Sequence, residues 1–193
     1  MAHRVVITGL GTINPTGHNV KASWDNITNG KRGDASRFLN AEGGLVGPFN
    51  AALHAAVTGK NVVALGESLW RRSGLGPQNI DVAQIYDHFA PLVLTSLEDL
   101  GFCKKGEGGK FVADGNLISG VGKLPFNTDG GGLCSNHPVN RGGMTKILEA
   151  VRQLRGEAHP KVQVPNCDVA IAHGTGGLLG VRHAASTCIL ERV

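Results

Sequence analysis

None of the four cysteines, Cys103, Cys134, Cys167 and Cys188, belongs to a Cys-x-x-Cys pair. A zinc ribbon or a dithiol redox motif therefore has no support, and no other spacing suggests a metal site. No apolar run approaches the ~20 residues that span a bilayer, and no secretory segment follows Met1. The expectation is a cytoplasmic protein with reduced thiols and no membrane span. Basic residues concentrate only at Lys31-Arg32, Arg71-Arg72 and Lys104, Lys105 and Lys110. No long basic run with interleaved aromatics is present, which argues against a nucleic-acid partner. Gly9-Leu-Gly11-Thr-Ile-Asn14 follows a strand-like run, but its third glycine is replaced by Asn14 and no suitable acidic residue follows a second strand. That excludes a dinucleotide fingerprint. Internal repeats and low-complexity tracts are also lacking.

What is present is a globular composition, with 41% hydrophobic and 18% charged residues in 193, enough for a packed core. The net charge of +4 suits a solvated surface as well as it suits a phosphate-bearing substrate. Glycine is abundant at 29 residues, and it clusters at 43–47, 106–109, 130–132, 142–143 and 174–177. Clustered glycine points to tight loops around a site.

Residues 4–8 form a short apolar run ending in Gly9-Leu-Gly11, which reads as a buried strand entering a turn. A helix over about 18–28 follows, closed by Gly30 and Gly33. An Ala-rich piece from Asn50 to Val57 suggests a short helix. Val62, Leu65, Leu69 and Trp70 share one helical face, ended by Gly74 and Gly76-Pro77. Ile80–Tyr86 alternates like a strand, and Leu92, Leu97 and Leu100 suggest a helix stopped by Gly101. Residues 103–126 read as a Gly-rich excursion with one short strand. Met144, Ile147, Leu148, Val151 and Leu154 give the best helical stripe in the chain. Asp168–Ala172 reads as a buried strand ending at His173-Gly174-Thr-Gly-Gly177, with a last strand over about 184–191. Alternating strands and helices imply an α/β layer structure with a buried sheet.

Asn127-Thr-Asp-Gly-Gly-Gly-Leu-Cys-Ser-Asn-His137-Pro138 stands directly before the best helix. Gly130–Gly132 let a substrate approach the backbone, and His137 suits a donor or base at the floor of an acyl pocket. The bland alternative is a surface histidine in a glycine loop. Tyr86 and His88 end a strand at the sheet edge, where α/β folds commonly place sites. The alternative there is a tyrosine packed at a strand end with its hydroxyl satisfied. Cys134 with His137 could be a nucleophile and base, but a small buried thiol is the simpler reading.

These words carry two resemblances. Arg4-Val-Val-Ile-Thr-Gly-Leu-Gly11, Pro15-Thr-Gly17, Trp24 and Gly30-Lys-Arg-Gly33 resemble the start of 3-oxoacyl-carrier-protein synthases. Asp81-Val-Ala-Gln-Ile-Tyr-Asp-His-Phe89, Leu124-Pro-Phe-Asn127, Gly130-Gly131, His137-Pro138 and Gly174-Thr-Gly-Gly177 resemble the C-terminal half of sterol-carrier or lipid-transfer-type thiolases. Both belong to the thiolase superfamily. The resemblance implies an α/β, thiolase-like layered sandwich, mostly the C-terminal βαβαβαββ half with an N-terminal strand–helix unit. It divides the chain into a unit at 1–37, a junction at 38–60 and a thiolase-like domain at 61–193.

The resemblance also implies a site: His137, Tyr86, His88 and His173 as catalytic candidates, with Asn127, Gly130, Gly131, Gly174, Gly176 and Gly177 against the substrate. No bound cofactor is implied; a coenzyme A thioester is the substrate. The thiolase nucleophilic Cys has no matching segment, and His173 stands where thiolases carry a second Cys. The Tyr-Asp-His-Phe word is similar to that of steroid side-chain aldolases, whose retro-aldol chemistry needs no Cys nucleophile. Aldol-type cleavage of a CoA-linked lipid or steroid chain is thus the leading expectation. Acyl transfer with a nucleophile from another chain, and a non-catalytic lipid-binding or scaffold subunit, are the alternatives. A homodimer, or a hetero-oligomer with an OB-fold partner, is the assembly the resemblance implies.

Overall fold

The computed structural model describes residues 5–13, 21, 25, 29, 62–63, 65–135, 137, 142–176 and 184–193. The helix expected over 50–57, the glycines at 30 and 33, Pro138 and Gly177 lie outside the described residues, as does most of the helix expected over 18–28.

One sheet organises the described chain. Its strands are β1 (Val5–Ile13), β2 (Val82–Ile85), β3 (Val169–Gly176) and β4 (Ala184–Arg192), in the order β1-β4-β3-β2. β2 and β3 run parallel, while β4 is antiparallel to both β3 and β1. Every residue of β2 is buried, as expected of a parallel strand covered on both faces. β2 extends on its free side through a single parallel bridge from Ala83 to Phe126. That bridge is all the structure makes of the strand expected between 103 and 126. The same stretch holds a short helix, α3 (Gly108–Val112), which follows α1 (65–73) and α2 (Ala90–Asp99).

Two expected strand ends are corrected. β1 does not stop at Gly9-Leu-Gly11 but continues to Ile13. The register steps from Ile7↔Leu190 to Gly9↔Ile189, so Thr8 is a bulge, and glycine beside a bulge is tolerated inside a strand. β3 likewise does not end at His173: Gly174 and Gly176 pair with Ser186 and Ala184.

The sheet separates two apolar clusters. On one face Ala83, Ile85, Ile171 and Ile189 pack against Leu69, Leu97 and Leu100 of the α1–α2 layer. Full burial of a leucine such as Leu97 contributes about 1.5–3 kcal/mol. On the other face Val82, Ala170, Ala172 and Leu190 pack against Ala150 and Leu154 of α5 (Gly142–Arg155). The short α4 (Gly131–Cys134) precedes it.

The apolar stripe marks α5 as a helix and is buried in part: Leu154 is fully buried, and Ile147 and Val151 pack against the sheet cluster. Met144 and Leu148 are 58% and 54% exposed, whereas Lys146, Glu149 and Gln153 are buried. They are admitted because each has partners. Lys146 meets Asp129, and Glu149 and Gln153 meet Thr128, which also accepts from Gln84 of β2.

Candidate active site

The site lies at the C-terminal ends of the parallel pair β2 and β3, where open α/β sheets place their ligands. The Tyr86 N–H donates to the His173 carbonyl (2.9 Å), continuing the β2–β3 ladder by one residue. Strand alternation then places Tyr86 on the α5 side, with Gln84. Asn127 holds the strand end from the opposite edge. Its Oδ1 accepts the Ile85 N–H at 2.9 Å, and its Nδ2 donates to the Ile85 carbonyl at 2.7 Å. Asn127, expected against the substrate, is thus buried and brackets the backbone that presents Tyr86.

Tyr86, 7% exposed, forms the centre. Its Oη lies 2.6 Å from His137 Nδ1. Its ring stacks on His88, with centroids 5.0 Å apart and planes inclined at 26°. The His137 ring is tilted against that of Tyr86, with centroids 5.5 Å apart and planes inclined at 31°. His88 in turn meets Phe89 edge-on at 5.1 Å. Gly142 opens α5 against the tyrosine ring: a Cβ there would stand 2.2 Å from Cε2 and 2.7 Å from Oη. No residue with a side chain fits, so the N-terminal turn of a 14-residue helix approaches the phenol. The positive end of that helix favours negative charge on Oη.

The glycine run positions His137. Gly130 and Gly131 adopt φ of 93° and 67°, a region that glycine enters without strain. The Gly131 N–H donates to Asp129 Oδ1 (2.9 Å). Lys146 Nζ reaches the same oxygen at 3.0 Å. Gly132 and Leu133 donate their N–H groups to Asp87 at 2.6 and 3.3 Å. Asp87, Asp129 and Lys146 were not among the sequence candidates. The available signal was weak: an acidic residue inside Tyr-Asp-His-Phe, and another just before a glycine run rich in backbone donors.

The structure brings Tyr86, His88 and His137 together, with Gly130 and Gly131 in the turn behind them. It does not bring His173 with them. His173 shares the face of Ile171, Ile85 and Ile189, across the sheet from α5, and its Nδ1 contacts Thr187 Oγ1 at 2.7 Å. Gly174 lies on the α5 side, where a Cβ would stand 3.5 Å from Gly143 Cα. Cys134 is exposed at the end of α4, not the small buried thiol the sequence suggested. Burial pushes the Cys167 and Cys188 thiols up to about 12 and about 11, and burial with Glu98 and Glu107 nearby raises Cys103. High thiol pKa values leave little thiolate to act as a nucleophile. Among the described residues no cluster of His, Cys, Asp and Glu could hold a metal ion, and no helix is long and apolar enough to cross a membrane.

His173 carries a pH prediction. Burial pushes its pKa down to about 4 from 6.5, and its Nε2 has no hydrogen-bond partner among the described residues. The folded state takes the proton less readily than the unfolded chain. Stability is therefore complete above pH 6.5 and is lost as pH falls from 6.5 towards 4, by on the order of 3 kcal/mol from this residue. Denaturant unfolding at pH 7 and pH 4.5 should show His173→Asn losing less stability between the two than the parent. Equal losses would mean that the imidazole is already solvated.

Comparison with known proteins places this geometry in a family. The chain belongs to the thiolase C-terminal domain-like family, whose model matches residues 50–192. The fold is thiolase-like, and the match covers the C-terminal-half resemblance read from the motifs. Among its relatives is a steroid side-chain-cleaving aldolase of Thermomonospora curvata, 47% identical over 114 residues, 58% of this chain and 27% of the relative. Another is a 17-hydroxy-3-oxo-4-pregnene-20-carboxyl-CoA lyase of Mycobacterium tuberculosis, 46% identical over 113 residues, 58% of this chain and 28% of the relative. A solved structure of an Ltp2–ChsH2(DUF35) aldolase superposes with a TM-score of 0.58 at 41% identity, covering 69% of this chain and 32% of that one. The chain thus spans between a quarter and a third of the length of these proteins.

Proposed function

We propose that the protein cleaves C–C bonds by aldol-type chemistry in CoA-thioester lipid or steroid side chains. The observation that carries this is the 2.6 Å contact between Tyr86 Oη and His137 Nδ1 beside the N-terminus of α5. Tyr86 passes its proton to His137 and takes the proton of the substrate β-hydroxyl. The oxygen electron pair closes to a carbonyl, the Cα–Cβ bond breaks, and its electrons move onto the thioester as an enolate. The enolate then takes at Cα the proton held on His137, which restores the neutral Tyr86–His137 pair and releases a shortened acyl-CoA and a ketone or aldehyde. Until that transfer the imidazolium at His137 complements the enolate charge. His88 holds the phenol ring by stacking. Coenzyme A enters as part of the substrate, and no bound cofactor is needed.

The names of the relatives support the same reading, since they describe an aldolase and a CoA lyase. The raised pKa values of three of the four thiols weigh against acyl transfer through a cysteine of this chain. The solved aldolase is named as an Ltp2–ChsH2(DUF35) pair, which favours a second kind of chain over a homodimer alone, and the family resemblance suggests an OB fold for it. Four free thiols suit a reducing cytoplasm.

The test mixes the purified protein with a β-hydroxyacyl-CoA and, separately, with acetyl-CoA, and follows products by mass spectrometry. Carbonyl release without a covalent adduct is expected. An acyl-cysteine adduct without cleavage would make the protein an acyltransferase. Lipid binding without either product would make it a non-catalytic subunit.

A further inference from the structure

We infer that Asp87 is a positioning residue that sets the Tyr86–His137 distance by gripping the turn in front of His137. The inference rests on the aldol reading for its activity readout, but its geometry stands independently. Asp87 lies between Tyr86 and His88 in sequence and is buried. Its two carboxylate oxygens accept from consecutive backbone donors of α4, Gly132 to Oδ1 at 2.6 Å and Leu133 to Oδ2 at 3.3 Å. Asp129 takes the preceding donor, Gly131. The three opening N–H groups of this short helix are thus all held by carboxylates, and two of the three are held by Asp87.

The fit leaves no slack. A Cβ on Gly131 would stand 2.2 Å from Asp87 Oδ2, and one on Gly132 would stand 3.1 Å from Oδ1. The carboxylate therefore fixes how far the glycine run can move from the end of β2. Ser135 N–H closes the turn on the Gly131 carbonyl at 3.0 Å, two residues before His137. One side of the reacting pair is presented by the residue before Asp87, and the other by the turn Asp87 grips. The carboxylate ties the two backbones together. A four-residue helix does not hold its own orientation, because its first N–H groups have no intrahelical acceptors.

Charge and shape can be separated by Asp87→Asn, which keeps the volume but turns one acceptor into an NH2 facing a backbone N–H. Two donors then abut, and the turn must withdraw. Cleavage of a β-hydroxyacyl-CoA should lose about 100-fold in kcat, the loss an ångström-scale misplacement carries, with little change in KM. A role in folding alone would lower thermal stability without that split. The second readout does not depend on activity. By NMR hydrogen exchange, the Gly132 and Leu133 amides of the parent protein should exchange slowly, and in Asp87→Asn they should exchange fast while the β2–β3 amides stay protected. His137 ring resonances should shift in the same variant.

Unchanged kcat in a folded Asp87→Asn protein, with Tyr86→Phe inactive, overturns Asp87 as a positioning residue and leaves the aldol reading standing. Full activity in Tyr86→Phe overturns the aldol reading, and the exchange data then decide Asp87 alone. Should Asp87→Asn not fold, fast exchange of Gly132 and Leu133 in the parent protein would still refute the grip.

Discussion

Tyr86→Phe should lose cleavage of a β-hydroxyacyl-CoA by roughly 10²–10⁴-fold in kcat, the usual contribution of a general base. The substitution is narrow. The chain has one tyrosine, and phenylalanine keeps the ring that stacks on His88 at 5.0 Å and faces Gly142. Only the oxygen that meets His137 at 2.6 Å is removed. Affinity for the CoA ester, measured by calorimetry, should be kept, because the hydroxyl acts on the reacting centre and not on the nucleotide. His137→Ala should fall in the same direction. The double variant should be no worse than the weaker single one, since two groups that share one proton act as a unit. Cleavage retained in Tyr86→Phe would remove Tyr86 as the base. Additive losses would show that His137 works on the substrate separately.

Much of this arrangement was legible in the sequence, and the reasons for the rest are physical. The strand Val82–Ile85 and the helix Gly142–Arg155 announced themselves by period, because burial and regular hydrogen bonding leave a repeat in hydropathy. Tyr86 and His137 stood out because their words matched family motifs, although 51 residues of sequence separate them. The polar part of the buried face of α5 could not be read in that way. Pattern reading sorts residues by hydropathy, whereas Lys146, Glu149 and Gln153 are inside because Asp129 and Thr128 complete their hydrogen bonds. No local signal links position 146 to 129. Asp87 was hidden for a similar reason: its partners are backbone N–H groups, which every sequence contains. His173 stands apart from Tyr86, and a strand end in the sequence shows its position but not its face. The extension of β3 through Gly176 puts the imidazole on the α1–α2 side.

The same buried polar layer gives the largest expected effect on stability. Lys146 is fully buried, and its Nζ reaches Asp129 Oδ1 at 3.0 Å and Oδ2 at 3.4 Å. Asp129→Ala leaves an ammonium in the interior without its carboxylate, and removing one partner of such a pair costs about 3–5 kcal/mol. The opposite substitution is milder. Lys146→Met fills the same channel with an apolar chain and leaves Asp129, whose side chain is 19% exposed, able to meet water. Combining Asp129→Ala with Lys146→Met removes both charges and should recover most of the loss, since replacing a buried pair by apolar groups is often neutral or favourable. Urea unfolding of the parent, both single variants and the double variant measures the cycle. A loss below about 1 kcal/mol in Asp129→Ala would mean that Lys146 finds water or another acceptor. The cycle also separates stability from function. Asp129 Oδ1 accepts the Gly131 N–H, so Asp129→Ala should loosen the turn before His137 and lower cleavage even where the double variant folds well. Lys146→Met keeps that bond and should retain activity.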